Sequence, residues 1–170
     1  MARPMRRVVT GHNAQGKSVI LIDVPSPHAL ELDGLPGVAL INLWATDRAP
    51  ASNAGVADAA ARPVVLEPPE LGTIFRVVDF PLDKRMAGKV DRAKAFAAMG
   101  AGHAMDRSDA RYPAMHKTNT VDYALVLVGE IWALMDEGET LLEAGDCLIQ
   151  RGTNHAWSNR TDTPCRARPL

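Results

Sequence analysis

From Met115 to Asn159 the chain repeats one pattern, a short apolar run followed by a turn rich in glycine or acidic residues. "VDYALVLV" meets Gly129, "EIWALM" meets "DEGE", and "TLLEAGD", "CLIQRG" and "NHAWSN" follow. Short runs at such close, regular spacing indicate an antiparallel sandwich or small barrel. The first half adds more strands. "RRVVT" and "SVILIDV" read as a hairpin around "GHNAQGK", "GVALINLWAT" as a further strand, and "GTIFRVVDFP" as a strand that Pro81 stops. Residues 47–70, rich in Ala and Pro, read as an exposed loop. "KVDRAKAFAAMGAG" predicts one short helix, ended by Gly100 and Gly102. The chain between that helix and Pro113 reads as irregular, and the tail after Asn159 as at most a short strand, because proline cannot donate to a ladder.

A chain of 170 residues suits one domain, and 46% hydrophobic with 23% charged residues describes a globular one. A net charge of -1 gives no basic field for nucleic acid or anionic lipid, so neither is an expected partner. Cys147 and Cys165 lack metal-ligand spacing and read as free thiols of a reducing compartment. No apolar stretch follows the N-terminal arginines, and no run approaches the ~18 residues of a membrane span, so the expected location is cytoplasmic.

Strand parity singles out candidate site residues. If the segment is extended, His116, Thr118, Thr120 and Asp122 share a face that Ala124, Val126 and Val128 continue. Downstream, His155, Trp157 and Asn159 share another. Two histidines and a carboxylate line one cavity if their strands are neighbours, a donor set suited to a divalent metal with open positions. The structural alternative makes His116 a solvated loop residue and Asp122 a strand-entry residue. His12, His28 and His103 read as loop histidines, His12 and His28 as solvated. Tyr123, on the face opposite Asp122, reads as packing, and Arg151 and Asn154 as turn residues.

These residues carry a resemblance to the cupin superfamily. His116, Thr118, Asp122 and Gly129 stand in the frame of the first cupin motif (His, His, Glu, Gly). Gly145, Gly152, His155 and Asn159 stand in the frame of the second. Thr118 replaces the second histidine, Asp122 is one methylene shorter than the usual Glu, and Gln150 stands where a proline is usual. The resemblance covers residues 113–170 and is closest to small single-domain (cupin 2 conserved barrel) proteins, some of them oxidoreductases of secondary-metabolite pathways. It implies an all-β double-stranded β-helix, or jelly-roll, barrel over residues 1–170. Residues 1–85 would form an N-terminal strand extension and loop, and one short helix would be added. It further implies one divalent metal ion (Fe, Mn, Ni or Zn) on His116, Asp122 and His155. Thr118, Val126, Trp157 and Asn159 would face a small-molecule ligand, and Val128 and Trp132 are further wall candidates.

The reading that follows is a metal-dependent cupin enzyme of oxidoreductase or dioxygenase type, acting on a small aromatic or polyketide-like molecule. The alternatives are a non-redox isomerase or lyase, and a non-catalytic binding module. Catalytic residues beyond the metal set are not assigned. Assembly as a homodimer through the N-terminal strands is expected, with Val19, Ile20 and Leu21 at the interface.

Overall fold

A computed structural model describes residues 4–106, 108 and 112–169. The chain opens with a hairpin of β1 (Arg6–His12) and β2 (Ser18–Pro25). The strands β3 (Ala29–Glu31), β4 (Ala39–Thr46) and β5 (Thr73–Phe80) come next, then the helices α1 (Asp83–Met86) and α2 (Arg92–Ala98). The remaining strands are β6 (Val121–Val128), β7 (Glu130–Met135), β8 (Glu139–Glu143), β9 (Cys147–Arg151), β10 (His155–Ser158) and β11 (Cys165–Pro169). The strand runs of the sequence thus appear where expected, and the architecture is all-β. Two elements were not foreseen, the three-residue β3 and the four-residue α1. Part of the stretch expected to be irregular, residues 107 and 109–111, lies outside the described residues.

Two antiparallel sheets form the body. One has the order β3-β4-β5-β11-β6-β9 and the other β10-β7-β8. Val126 and Cys165 of the first sheet pack against Ile131, Ala133 and Leu142 of the second, which closes one part of the interior. β4 and β5 are buried on both faces, which explains their nearly continuous apolar runs. Val77 packs with Ala39, Ile41 and Leu43 on one face, while Leu40 and Val78 join α2 on the other. Asp91 caps α2 by accepting a hydrogen bond from Lys94 N at 2.9 Å, and the helix buries Ala95 and Phe96.

Two expectations change, and a third gains a position in the fold. The 47–70 loop is exposed over its first half only. Asp58 is then gripped by Arg7, Ala60 is fully buried, and Leu66 packs on the α2 core. His28 is not solvated, because its Nε2 lies 2.8 Å from Asp58 Oδ2. The tail is short but central, since β11 pairs with both β5 and β6 and fills the middle of the larger sheet. Among the described residues neither Cys147 nor Cys165 forms a disulfide, and Cys165 is buried. Among the described residues no helix is long and apolar enough to cross a membrane.

Candidate active site

Between the two sheets and α2 lies a cavity of about 1020 Å³. Its wall is mostly apolar, with Leu40, Ile74, Val78, Phe80, Phe96 and Trp157 among the contributors. Into this wall the fold sets a polar group, His116, Asp122, Gln150, His155 and Arg76.

His116 and His155 meet through the backbone. Each donates its N–H to the other's carbonyl at 2.9 Å, an isolated antiparallel bridge outside the named ladders. Their ring centroids lie 4.3 Å apart. Residues 117–120 belong to no strand and bend at Asn119 and Thr120, so strand parity links no residue before Val121 to Asp122. Nor is β6 the neighbour of β10: β6 lies between β11 and β9, and β10 pairs with β7. The bridge, rather than a shared ladder, brings the histidines together, and Asp122 faces the cavity from the other sheet.

Each imidazole is fixed through Nδ1. His116 Nδ1 lies 2.9 Å from Ala114 O, and Ala114 turns that carbonyl inward from a left-handed backbone (φ 65). His155 Nδ1 lies 3.0 Å from Thr153 O and 3.1 Å from Gln150 Nε2. The Gln150 amide already donates to Thr153 O at 2.7 Å and to Thr153 Oγ1 at 2.6 Å, which uses both of its hydrogens. A carbonyl only accepts, so Nδ1–H is the donor in both rings and each Nε2 keeps its lone pair. Gly152 permits this loop: at φ 62, a Cβ there would stand 3.0 Å from Thr118 O.

Burial keeps both rings neutral. Loss of solvent, with a smaller push from His155, lowers His116 to about 4. Loss of solvent likewise lowers His155. Asp122, half-buried, is raised by loss of solvent, against the opposing effects of the Thr120 hydroxyl, His116 and Arg76. Asp122 stands directly across the β6–β9 ladder from Gln150, which holds Thr153, the residue whose carbonyl orients His155. Phe96 packs on His116 with centroids 5.4 Å apart, and Trp157 meets His155 edge-on at 5.9 Å.

Of the expected pocket residues, Trp157 lines the cavity. Thr118, Val126 and Asn159 lie outside its wall. The Thr118 hydroxyl pairs with Thr120 Oγ1 at 2.8 Å, and Val126 faces the core between the sheets. Asn159 is spent on its own turn, donating to Thr163 O at 2.9 Å and accepting from Thr161. Val128 is half exposed, and Trp132 carries the Arg160 guanidinium on its ring. Tyr123 points outward, His103 is a surface residue bonded to Glu67, and Asn154 bonds Asp106 and Asp136. Arg76 and Gln150 were not foreseen as site residues. The signal for Arg76 was present: it shares strand parity with Ile74, Val78 and Phe80 in an otherwise apolar face.

Along 168 residues the chain is 31% identical to phomopsin biosynthesis cluster protein C' of Diaporthe leptostromiformis, covering 95% of this chain and 74% of that one. It is 27% identical over 159 residues to the cupin-domain-containing oxidoreductase virC of Hypocrea virens, covering 91% and 67%. With srdD of Neurospora crassa, which bears the same description, identity is 28% over 167 residues, covering 94% and 68%. The chain belongs to the cupin superfamily. No family model matches it. At the altered motif positions of this cupin, Thr118 bonds Thr120 and Gln150 bonds Thr153.

Among the described residues of this cupin, no three His, Cys, Asp or Glu side chains gather closely enough to hold a metal ion as they stand. The donor chemistry of the pair nevertheless fits a divalent metal. Two neutral imidazoles with Nδ1 anchored on carbonyls and Nε2 free are the form in which histidine binds one.

Proposed function

We propose that this cupin is a metal-dependent oxidoreductase acting on a small, largely apolar molecule of aromatic or polyketide-like size. The observation that carries the reading is the bridged His116–His155 pair, with both Nε2 atoms free, in the wall of a cavity of about 1020 Å³. The relatives described as oxidoreductases and as biosynthesis cluster proteins support it. His116 and His155 would hold the ion, with Asp122 as the anionic donor. When bound, a redox-active divalent metal supplies the route for electrons between substrate and oxidant. The chain's own residues do the rest. Gln150 and Thr153 fix the plane of His155, and Ala114 O fixes that of His116. Phe80, Phe96 and Trp157 exclude water and hold a flat apolar substrate beside the imidazoles.

The neutral histidines also support a second reading, a non-redox isomerase or lyase in the same cavity. A free Nε2 accepts a proton, and Asp122, raised by burial, is poised to exchange one. Oxygen dependence separates the two. The protein, loaded with Fe(II) under argon, is incubated with a panel of small aromatic metabolites while an oxygen electrode and mass spectrometry follow turnover. The oxidoreductase reading expects substrate loss with oxygen uptake, both abolished by His155→Ala. Turnover that runs equally well under argon would move the assignment to the isomerase or lyase.

A further inference from the structure

Among the charged residues of the cavity wall, Arg76 is the cation that has no part in the chemistry of the histidine pair. Arg76 is 5% exposed, on the inward face of β5. Its one hydrogen bond among the described residues runs from Nη2 to Val65 O at 2.5 Å. No carboxylate of the described residues lies within ion-pairing distance of it. Asp122 is the one acid whose charge it feels appreciably. The topology explains why the two do not meet. Arg76 is on β5 and Asp122 on β6, and β11 runs between them. Two strand spacings separate their axes by about 9–10 Å. The inward residues Ala124 and Ala167 are small and leave open room along this face.

A guanidinium presents five N–H donors in a planar fork, and one bond to a carbonyl leaves most of them unused. Holding such a charge in an apolar wall is costly unless an anion compensates it. Loss of solvent lowers Arg76 only to about 10, so it stays charged at neutral pH. Around it Leu40, Ile74, Val78 and Phe96 offer hydrocarbon surface.

We propose that Arg76 is the anchor for a carboxylate on the substrate, so that this cupin takes a small carboxylic acid with an apolar, ring-sized body. The carboxylate accepts two parallel N–H bonds from the fork, and the body lies along the apolar wall toward His116 and His155. Asp122, two strands away on the same inward face, opposes a second negative charge and so sets which end of the ligand lies near it. This names the substrate class of the small-molecule reading, but it rests on Arg76 and not on any metal.

The test uses two probes of equal shape, 2-naphthoate and 2-naphthamide, titrated calorimetrically at pH 7 into the protein as purified, with and without excess EDTA. The expected result is that naphthoate binds about tenfold or more tighter than naphthamide in both conditions, the range of a hydrogen-bonded charge. Arg76→Gln should bring naphthoate down to the affinity of naphthamide and leave naphthamide unchanged. Arg76→Lys, which keeps the charge without the fork, should retain part of the preference. Asp122→Asn in EDTA should tighten naphthoate several-fold. Equal affinities in the unaltered protein, or failure of both probes to bind, would overturn the proposal even if Arg76→Gln did not fold. So would a preference that EDTA abolishes, because a metal would then be holding the carboxylate. Stoichiometric metal persisting in a folded His116→Ala, Asp122→Ala double variant, with the naphthoate preference intact, would sink the metal reading while leaving this one standing.

Discussion

Gln150 occupies a position where the cupin motif usually has proline, and its side chain decides what His155 can do. Both amide hydrogens go to Thr153, one of them to the carbonyl that also accepts from His155 Nδ1–H, so Gln150 fixes the group that orients the imidazole. Gln150→Leu should keep the fold, since the side chain is buried and similar in volume, but release the imidazole. The expected cost is about 10- to 100-fold in affinity for a divalent metal, the usual effect of losing a ligand's supporting partner. Titration calorimetry with Zn(II) checks it, and an unchanged affinity would make Gln150 a packing residue. Much of the site was legible at this scale. His116, Asp122 and His155 follow from residue type and motif spacing, and all three line the cavity. Arg76 was not read from the sequence because one charge in an apolar strand is more often outward-facing. Only its parity with Ile74, Val78 and Phe80 betrays it.

At the scale of elements, the strands were readable because each is a short apolar run closed by glycine or proline. Their neighbours were not, since pairing depends on loops that carry no pattern. The sequence gives no sign that the tail would become β11 in the centre of the larger sheet. With Cys165 and Ala167 buried there, deletion of residues 160–170 should remove the inner partner of both β5 and β6. The expected outcome is loss of cooperative thermal unfolding by circular dichroism, and a truncated chain that melts as before would contradict the placement of β11. The hairpin β1–β2 is held differently. Arg7 donates to Leu43 O at 2.9 Å and to Asp58 Oδ1 at 2.8 Å, and His28 joins the same carboxylate. Hydrogen bonds from Arg7 above all hold Asp58 well below the usual carboxylate range, against an opposing effect of burial. A carboxylate depressed in the folded state contributes stability that is complete above its unfolded value of about 3.9 and is lost as pH falls below it. Asp58→Asn should therefore cost about 2 kcal/mol at pH 7 and much less at pH 2.5. Urea unfolding at the two pH values measures this, and an equal loss at both would assign Asp58 a role without charge.

For the whole molecule, two apolar surfaces lie on the outside. One face of the hairpin exposes Val8 and Ile20, with Ile20 at 62%. On the outer face of β6 and β9, Tyr123 and Ile149 face each other across the ladder, each 50% exposed. We propose a homodimer in which the hairpin of one protomer covers this face of the other. Light scattering over a dilution series should give twice the chain mass, and Ile20→Glu should shift the protein toward monomer. A strict monomer at every concentration would contradict the arrangement. The central proposal concerns the interior, that the bridged histidines, with Asp122 opposite, hold a divalent metal ion. Elemental analysis of the purified protein beside the His116→Ala, Asp122→Ala double variant tests it most directly. The account expects about one divalent metal per chain in the first and little in the second, with both folded by circular dichroism. Stoichiometric metal persisting in the folded double variant, or none in the unaltered protein even after incubation with Fe, Mn, Ni and Zn salts, would contradict it.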